Sequence, residues 1–127
     1  MNRVLVVDDE KIIVDSTAAM IYQIGFEPLK AYSVKEALEV FKKERPGIII
    51  TDLRFNGGMD GVALCSRLRH EDDSVIMIAM SGVFSEYDKA YCRSVGFEDW
   101  LQKPIETNEL LSALQCAFDR RNRWTQI

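Results

Sequence analysis

Gly47-Ile48-Ile49-Ile50-Thr51-Asp52 is a short aliphatic run that stops abruptly at a carboxylate. It is rich in β-branched side chains and follows Arg45-Pro46, so its length and flanks suit a strand buried on both faces of a sheet. An unpaired buried charge is costly, which places Asp52 at the end of the strand, facing a polar crevice. What else reaches that crevice decides the chemistry.

Upstream, Val4-Leu5-Val6-Val7 has the same character and also ends in acid, at Asp8-Asp9-Glu10. From Lys11 the period becomes helical, with Ile13, Thr17, Met20, Ile21 and Ile24 in step and Gly25 placed to end the helix. Pro28 to Tyr32 reads as a short edge strand, because proline cannot donate to a ladder. Ser33 with Glu36 matches a capping box, and Val34, Ala37, Leu38 and Phe41 form the stripe of a second helix that ends before Pro46. After Asp52 comes a loop containing Gly57-Gly58, then a third helix over Gly61 to His70 with Val62, Cys65 and Leu68 inward. Val75 to Met80 is a fourth apolar strand, ending at Ser81-Gly82. Ser85 and Asp88 repeat the capping signature for a fourth helix that carries Ala90 and Tyr91 and closes at Gly96. A short fifth strand near Asp99 to Gln102 leads into Lys103-Pro104. A last helix starts at about Thr107, with Leu110, Leu111, Leu114 and Phe118 on one face.

Five alternating strand and helix units predict an α/β fold, a doubly wound five-stranded parallel sheet of flavodoxin-like type, with five helices and residues 1–127 as one domain. Right-handed crossovers put all strand carboxyl ends on one edge, and ligands bind where the strand order reverses. With the order 2-1-3-4-5 that point falls between the first and third strands. Asp8 and Asp9 then stand beside Asp52, and Ser81 and Lys103 arrive from strands four and five.

Composition bounds the function. The chain has 127 residues, enough for a core without disulfide or metal staples. Its formal charge of −4 gives no general attraction for nucleic acid. No segment approaches a bilayer span, and the start of the chain does not read as a secretory signal, so a cytoplasmic location is expected and no membrane partner. Cys65, Cys92 and Cys116 are odd in number and widely spaced within helix-like sequence, and are expected as buried or half-buried thiols rather than a disulfide framework or zinc site. Arg120, Arg121 and Arg123 are expected to form a solvated last helical turn. His70, among Arg69, Glu71 and Asp72, is expected on the surface.

Three carboxylates in one crevice repel each other and raise their own pKa values unless cations compensate. Oxygen ligands with room for water and phosphate oxygens suit Mg2+ better than zinc. Lys103 adds a mobile point charge and Ser81 a hydroxyl. These are the parts of a phosphoryl-transfer site whose nucleophile, Asp52, would form an aspartyl phosphate.

Val6-Val7-Asp8-Asp9-Glu10, Asp52, Met80-Ser81-Gly82 and Lys103-Pro104 together resemble the receiver domain of two-component response regulators, and the resemblance covers essentially the whole chain. It implies Asp52 as phosphoacceptor, Asp8 and Asp9 as Mg2+ ligands, the backbone carbonyl of Arg54 as a further ligand, Ser81 as switch hydroxyl, and Lys103 as the phosphoryl contact. Trp100 falls where the family usually carries a tyrosine or phenylalanine that changes rotamer with Ser81; a plain packing tryptophan is the other reading. A second departure follows Asp52. There Phe55-Asn56-Gly57-Gly58 precedes Met59-Asp60-Gly61, one residue longer than the family pattern and without its proline. Arg54 and Val83 flank the site and would tune the lifetime of the phosphate.

The expected function is a phosphorylatable switch. A sensor histidine kinase or phosphotransfer protein donates to Asp52, and helix four, strand five and helix five present the output face to a downstream domain or protein. Such a domain catalyses only its own phosphorylation and dephosphorylation. A homodimer through the same face stays open, as does continuation of the chain into an output domain. Two alternatives are an unphosphorylated scaffold and a small aspartyl phosphohydrolase. The second commonly needs an acid two residues after the nucleophile, where this chain has Arg54.

Overall fold

A computed structural model describes residues 2–55, 60–82 and 84–126. The elements alternate as β1 (Arg3–Val7), α1 (Lys11–Ile24), β2 (Glu27–Ala31), α2 (Val34–Glu44), β3 (Ile48–Asp52), α3 (Asp60–Glu71), β4 (Ile76–Ser81), α4 (Glu86–Val95), β5 (Asp99–Gln102) and α5 (Thr107–Gln126). The strands form one parallel sheet in the order β2-β1-β3-β4-β5, with the proline-bearing β2 on an edge as expected.

Each central strand feeds two cores, which is why its sequence shows no polar alternation. Ile48 and Ile50 of β3 join Val4, Val6, Ile76 and Ile78 beneath α1 and α5, where Val14, Ile21, Leu110 and Leu114 close over them. Ile49 points the other way, with Leu5, Val7, Met77 and Ala79, against Phe41 of α2, Leu64 and Leu68 of α3 and Cys92 of α4. At about 25 cal/mol per Å² of apolar surface, burial on both faces is the main favourable term holding the sheet.

Local signals end the helices. The Gly25 amide closes α1 onto the carbonyls of Ile21 and Tyr22, at φ +112° where a side chain would be strained. The buried stripe of α1 runs through Val14, Thr17, Ala18 and Ile21, so Ile13, Met20 and Ile24 flank it rather than form its centre. On α2 the Ser33 hydroxyl accepts the Glu36 amide, but Glu36 reaches back to the Tyr32 amide instead of completing the box at Ser33. The box is complete on α4, where the Ser85 hydroxyl accepts the Asp88 amide and the Asp88 carboxylate accepts the Ser85 amide. The exposed side of α4 carries Ala90 and Tyr91, and Cys92 turns into the core.

Two expectations are corrected. Arg121 is not part of a solvated turn: its guanidinium donates to the Ser74 carbonyl at 2.8 Å and hydroxyl at 2.9 Å, and packs so closely on Gly47 that a Cβ there would lie 2.7 Å from Nε. The turn before β4 is thereby tied to α5, a contact across 47 positions that helix periodicity cannot reveal. Cys65 and Cys92 are buried, whereas Cys116 is exposed, because the inward stripe of α5 passes through Ala113 and Ala117 on either side of it. His70 lies on the surface as expected. Among the described residues no helix is long and apolar enough to cross a membrane.

Candidate functional site

The strand order brings the acids together. β1 pairs with β3 so that Val7 lies beside Thr51, and the residues that follow, Asp8 and Asp52, leave the ladder side by side. Asp8 is fully buried and Asp52 is 9% exposed; Asp9, the next residue, is partly exposed. Carboxylate oxygens of Asp8, Asp9 and Asp52 all lie within 4.8 Å of one another.

Lys103 compensates this charge. Its amide donates to the Ser81 carbonyl at 2.8 Å, which extends the pairing of β4 and β5 and fixes where the side chain begins. From there the ammonium reaches past the ends of β4 and β3 to donate to Asp8 Oδ2 at 2.8 Å and lies 3.5 Å from Asp52 Oδ1. The Glu10 amide donates to the other Asp8 oxygen at 3.0 Å, so this buried carboxylate is satisfied at both ends.

Burial, followed by the negative charge of Asp8, raises the Asp52 pKa; the Lys103 charge and hydrogen bond and the Arg54 amide oppose the rise without cancelling it. Burial works to lower the Lys103 pKa, but the Asp8 hydrogen bond and the two carboxylate charges outweigh it and leave the ammonium raised. The site thus holds more negative charge than its lysine offsets. Its donors are all oxygen, the crevice opens to solvent at Asp9, and the three carboxylates are close enough to share one small cation, a set that fits Mg2+.

Ser81 is the last residue of β4, one position beyond Met80, the register partner of Asp52. Trp100 of β5 is half-buried against the core beneath α4, with Lys89 Nζ 5.8 Å and the Arg93 guanidinium carbon 5.2 Å from its ring centroid. Both cations come from one face of α4. The spacing of Lys89 and Arg93 shows in the sequence, but not that their partner lies on the neighbouring strand. The lengthened loop at Asn56, Gly57, Gly58 and Met59 lies outside the described residues, as does Val83.

Two residues beside Asp52, Thr51 and the Gly61 that closes Met59-Asp60-Gly61, make contacts that the sequence does not announce. Thr51 is fully buried and its hydroxyl donates to the Asp52 carbonyl at 2.9 Å. Gly61, in the first turn of α3, sits so close that a Cβ would fall 1.9 Å from the same carbonyl oxygen. A glycine at a helix start and a threonine in a strand both read as ordinary choices, so neither announces this contact.

The response regulator receiver domain family model matches residues 4–115. Among solved structures, the chemotaxis protein CheY4 of Vibrio cholerae is 27% identical with a TM-score of 0.85, over 92% of this chain and 98% of that one. The receiver domain of the Francisella response regulator 1452 is 26% identical with a TM-score of 0.85, over 94% and 98%. NtrX from Brucella abortus shares the fold, with 23% identity and a TM-score of 0.91, over 99% of this chain but 29% of its own.

Proposed function

This chain belongs to the response regulator receiver domain family, and from that premise we propose that it is a signalling switch phosphorylated on Asp52. The observation that carries the reading is the Lys103 ammonium, 2.8 Å from Asp8 and 3.5 Å from Asp52, in a crevice where a third carboxylate, Asp9, completes an acidic cluster.

In this reading an Asp52 carboxylate oxygen bonds to phosphorus as the phosphorus–nitrogen bond of a donor phosphohistidine breaks. The electron pair returns to the imidazole, which takes a proton from solvent. The donor belongs to a sensor histidine kinase or phosphotransfer protein. Asp8, Asp9, Asp52 and the Arg54 carbonyl would hold Mg2+, which supplies neutralising charge for the phosphoryl oxygens. Lys103 places a second positive charge beside Asp8 and Asp52, and the Ser81 hydroxyl would donate a hydrogen bond to a phosphoryl oxygen. Phosphorylation adds negative charge beside Lys103, drawing β4 and β5 toward the site and shifting an existing two-state equilibrium. The change is read on α4, β5 and α5 by an output domain or partner in the cytoplasm. Apart from its own phosphorylation and dephosphorylation the domain catalyses nothing.

The test is intact mass after incubation with acetyl phosphate, with and without Mg2+. Wild type should gain one phosphoryl group only with Mg2+, and Asp52→Asn should gain none. An unmodified wild type removes Asp52 from the role and leaves the scaffold reading, whereas an equal adduct on the variant moves the phosphoacceptor to another residue.

A further inference from the structure

In-line attack needs the Asp52 carboxylate aimed, and the aim of a side chain at the end of a strand depends on the peptide that follows it, where the pairing with β1 has ended. Here that peptide is held at three points. Its amide, on Leu53, donates to the Met80 carbonyl of β4 at 3.2 Å. Its carbonyl, on Asp52, accepts the Thr51 hydroxyl at 2.9 Å. Gly61 packs against the same oxygen, with a clearance no side chain would permit, and its own amide donates to the Leu53 carbonyl at 3.2 Å.

We propose that Thr51 and Gly61 are positioning residues for phosphoryl transfer, which lock the Asp52–Leu53 peptide so that the carboxylate points along the line of attack; the inference rests on Asp52 being the phosphoacceptor. Thr51 faces the α3 side of the sheet and Asp52 the α1 side, as strand alternation requires. The hydroxyl therefore acts from beneath the nucleophile, where it touches neither metal nor phosphoryl group. Gly61 anchors the first turn of α3 to the same peptide. Loosening either contact leaves Asp8, Asp9 and Lys103 in place and changes only the orientation of Asp52.

The decisive comparison is Thr51→Val against Thr51→Ser. Valine keeps the volume and loses the donor, whereas serine keeps the donor and loses a methyl group. The initial rate of phosphoryl uptake from acetyl phosphate at saturating Mg2+ is read by intact mass, Mg2+ affinity by calorimetry, and folding by thermal melts. All variants are compared at a temperature where each is folded. Uptake should fall about tenfold in Thr51→Val, the scale of a small misplacement of a reacting group, and Mg2+ affinity should weaken with it. Thr51→Ser should recover most of both, whatever its melting temperature. Gly61→Ala is the larger perturbation and should be slower still, but the Thr51 pair decides the matter without it. Uptake by Thr51→Val at the wild-type rate, or equal slowing in Thr51→Val and Thr51→Ser, overturns the positioning role. If wild type gains no phosphoryl group at all, the role of Asp52 fails first and this inference fails with it.

Discussion

Replacing Lys103 by methionine keeps the stem of the side chain and removes the one charge that bridges Asp8 and Asp52. At an effective dielectric of about 20, a unit charge pair at 2.8 Å is worth about 6 kcal/mol and one at 3.5 Å about 5 kcal/mol, before any desolvation cost. Most of that gain is offset by taking the ammonium out of water, so the bridge itself is only weakly stabilising. Breaking it is different, because Asp8 has no exposure through which to regain hydration. Orphaning a buried partner costs about 3–5 kcal/mol, and the 19% exposure of the Lys103 side chain argues for the low end. About 3 kcal/mol corresponds to a fall of about 10 °C in melting temperature for a chain of this size. The assay is urea unfolding of wild type, Lys103→Met, Asp8→Asn and the double variant, in EDTA. Lys103→Met should be the least stable, and Asp8→Asn on top of it should recover at least half the loss, since asparagine still accepts the Glu10 amide. A loss below about 1 kcal/mol for Lys103→Met, or no recovery in the double variant, would refute the view that Lys103 chiefly compensates a buried acid.

The raised pKa of Asp52 means that the folded chain holds this proton more tightly than the unfolded one, so stability falls as pH climbs from the ordinary carboxylate value of 3.8 through the raised folded value. Asp52→Asn removes that loss: it should be more stable than wild type at neutral pH in urea titrations without metal, with the gap closing toward acid, and a gap independent of pH would contradict the cause given. Lys89→Met and Arg93→Met should each cost about 0.5–1 kcal/mol and move Trp100 emission to the red in a Trp124→Phe background, as the cations over the ring are lost; an unchanged spectrum in both counts against the clamp. A thiol reagent should modify Cys116 rapidly in the native protein and Cys65 only on unfolding, because burial pushes the Cys65 thiol up to about 11. Peptide mapping that finds Cys65 labelled first would overturn this.

The sheet was legible because strands buried on both faces have no choice of residue: Ile48-Ile49-Ile50 and Val4-Leu5-Val6-Val7 must be aliphatic throughout. Once the order of such strands is known, the meeting of Asp8, Asp9, Asp52 and Lys103 follows from geometry. The contacts made by single long or small side chains were not legible. Arg121 could bond water or Ser74, and its spacing on α5 is the same in either case. Cys116 lies one residue from the inward Ala117, within the ambiguity of a 3.6-residue period. Thr51 suits a strand by propensity alone, and the proximity of Gly61 to the Asp52 carbonyl depends on how α3 docks. Such contacts depend on tertiary placement, which no local pattern encodes.

The two ends of the sheet are built differently. At the amino-terminal end Arg3 pairs with Glu27 and Glu44, Arg121 holds Ser74, and Arg69 bonds Glu98 and the carbonyls of Val75 and Gly96. At the carboxyl end Asp8, Asp9 and Asp52 crowd together around Lys103. Mechanically the sheet is a cantilever, clamped by arginines at one end and loaded at the other. A load placed there should therefore bend the loops and strand tips nearest to it before the arginine-tied end moves.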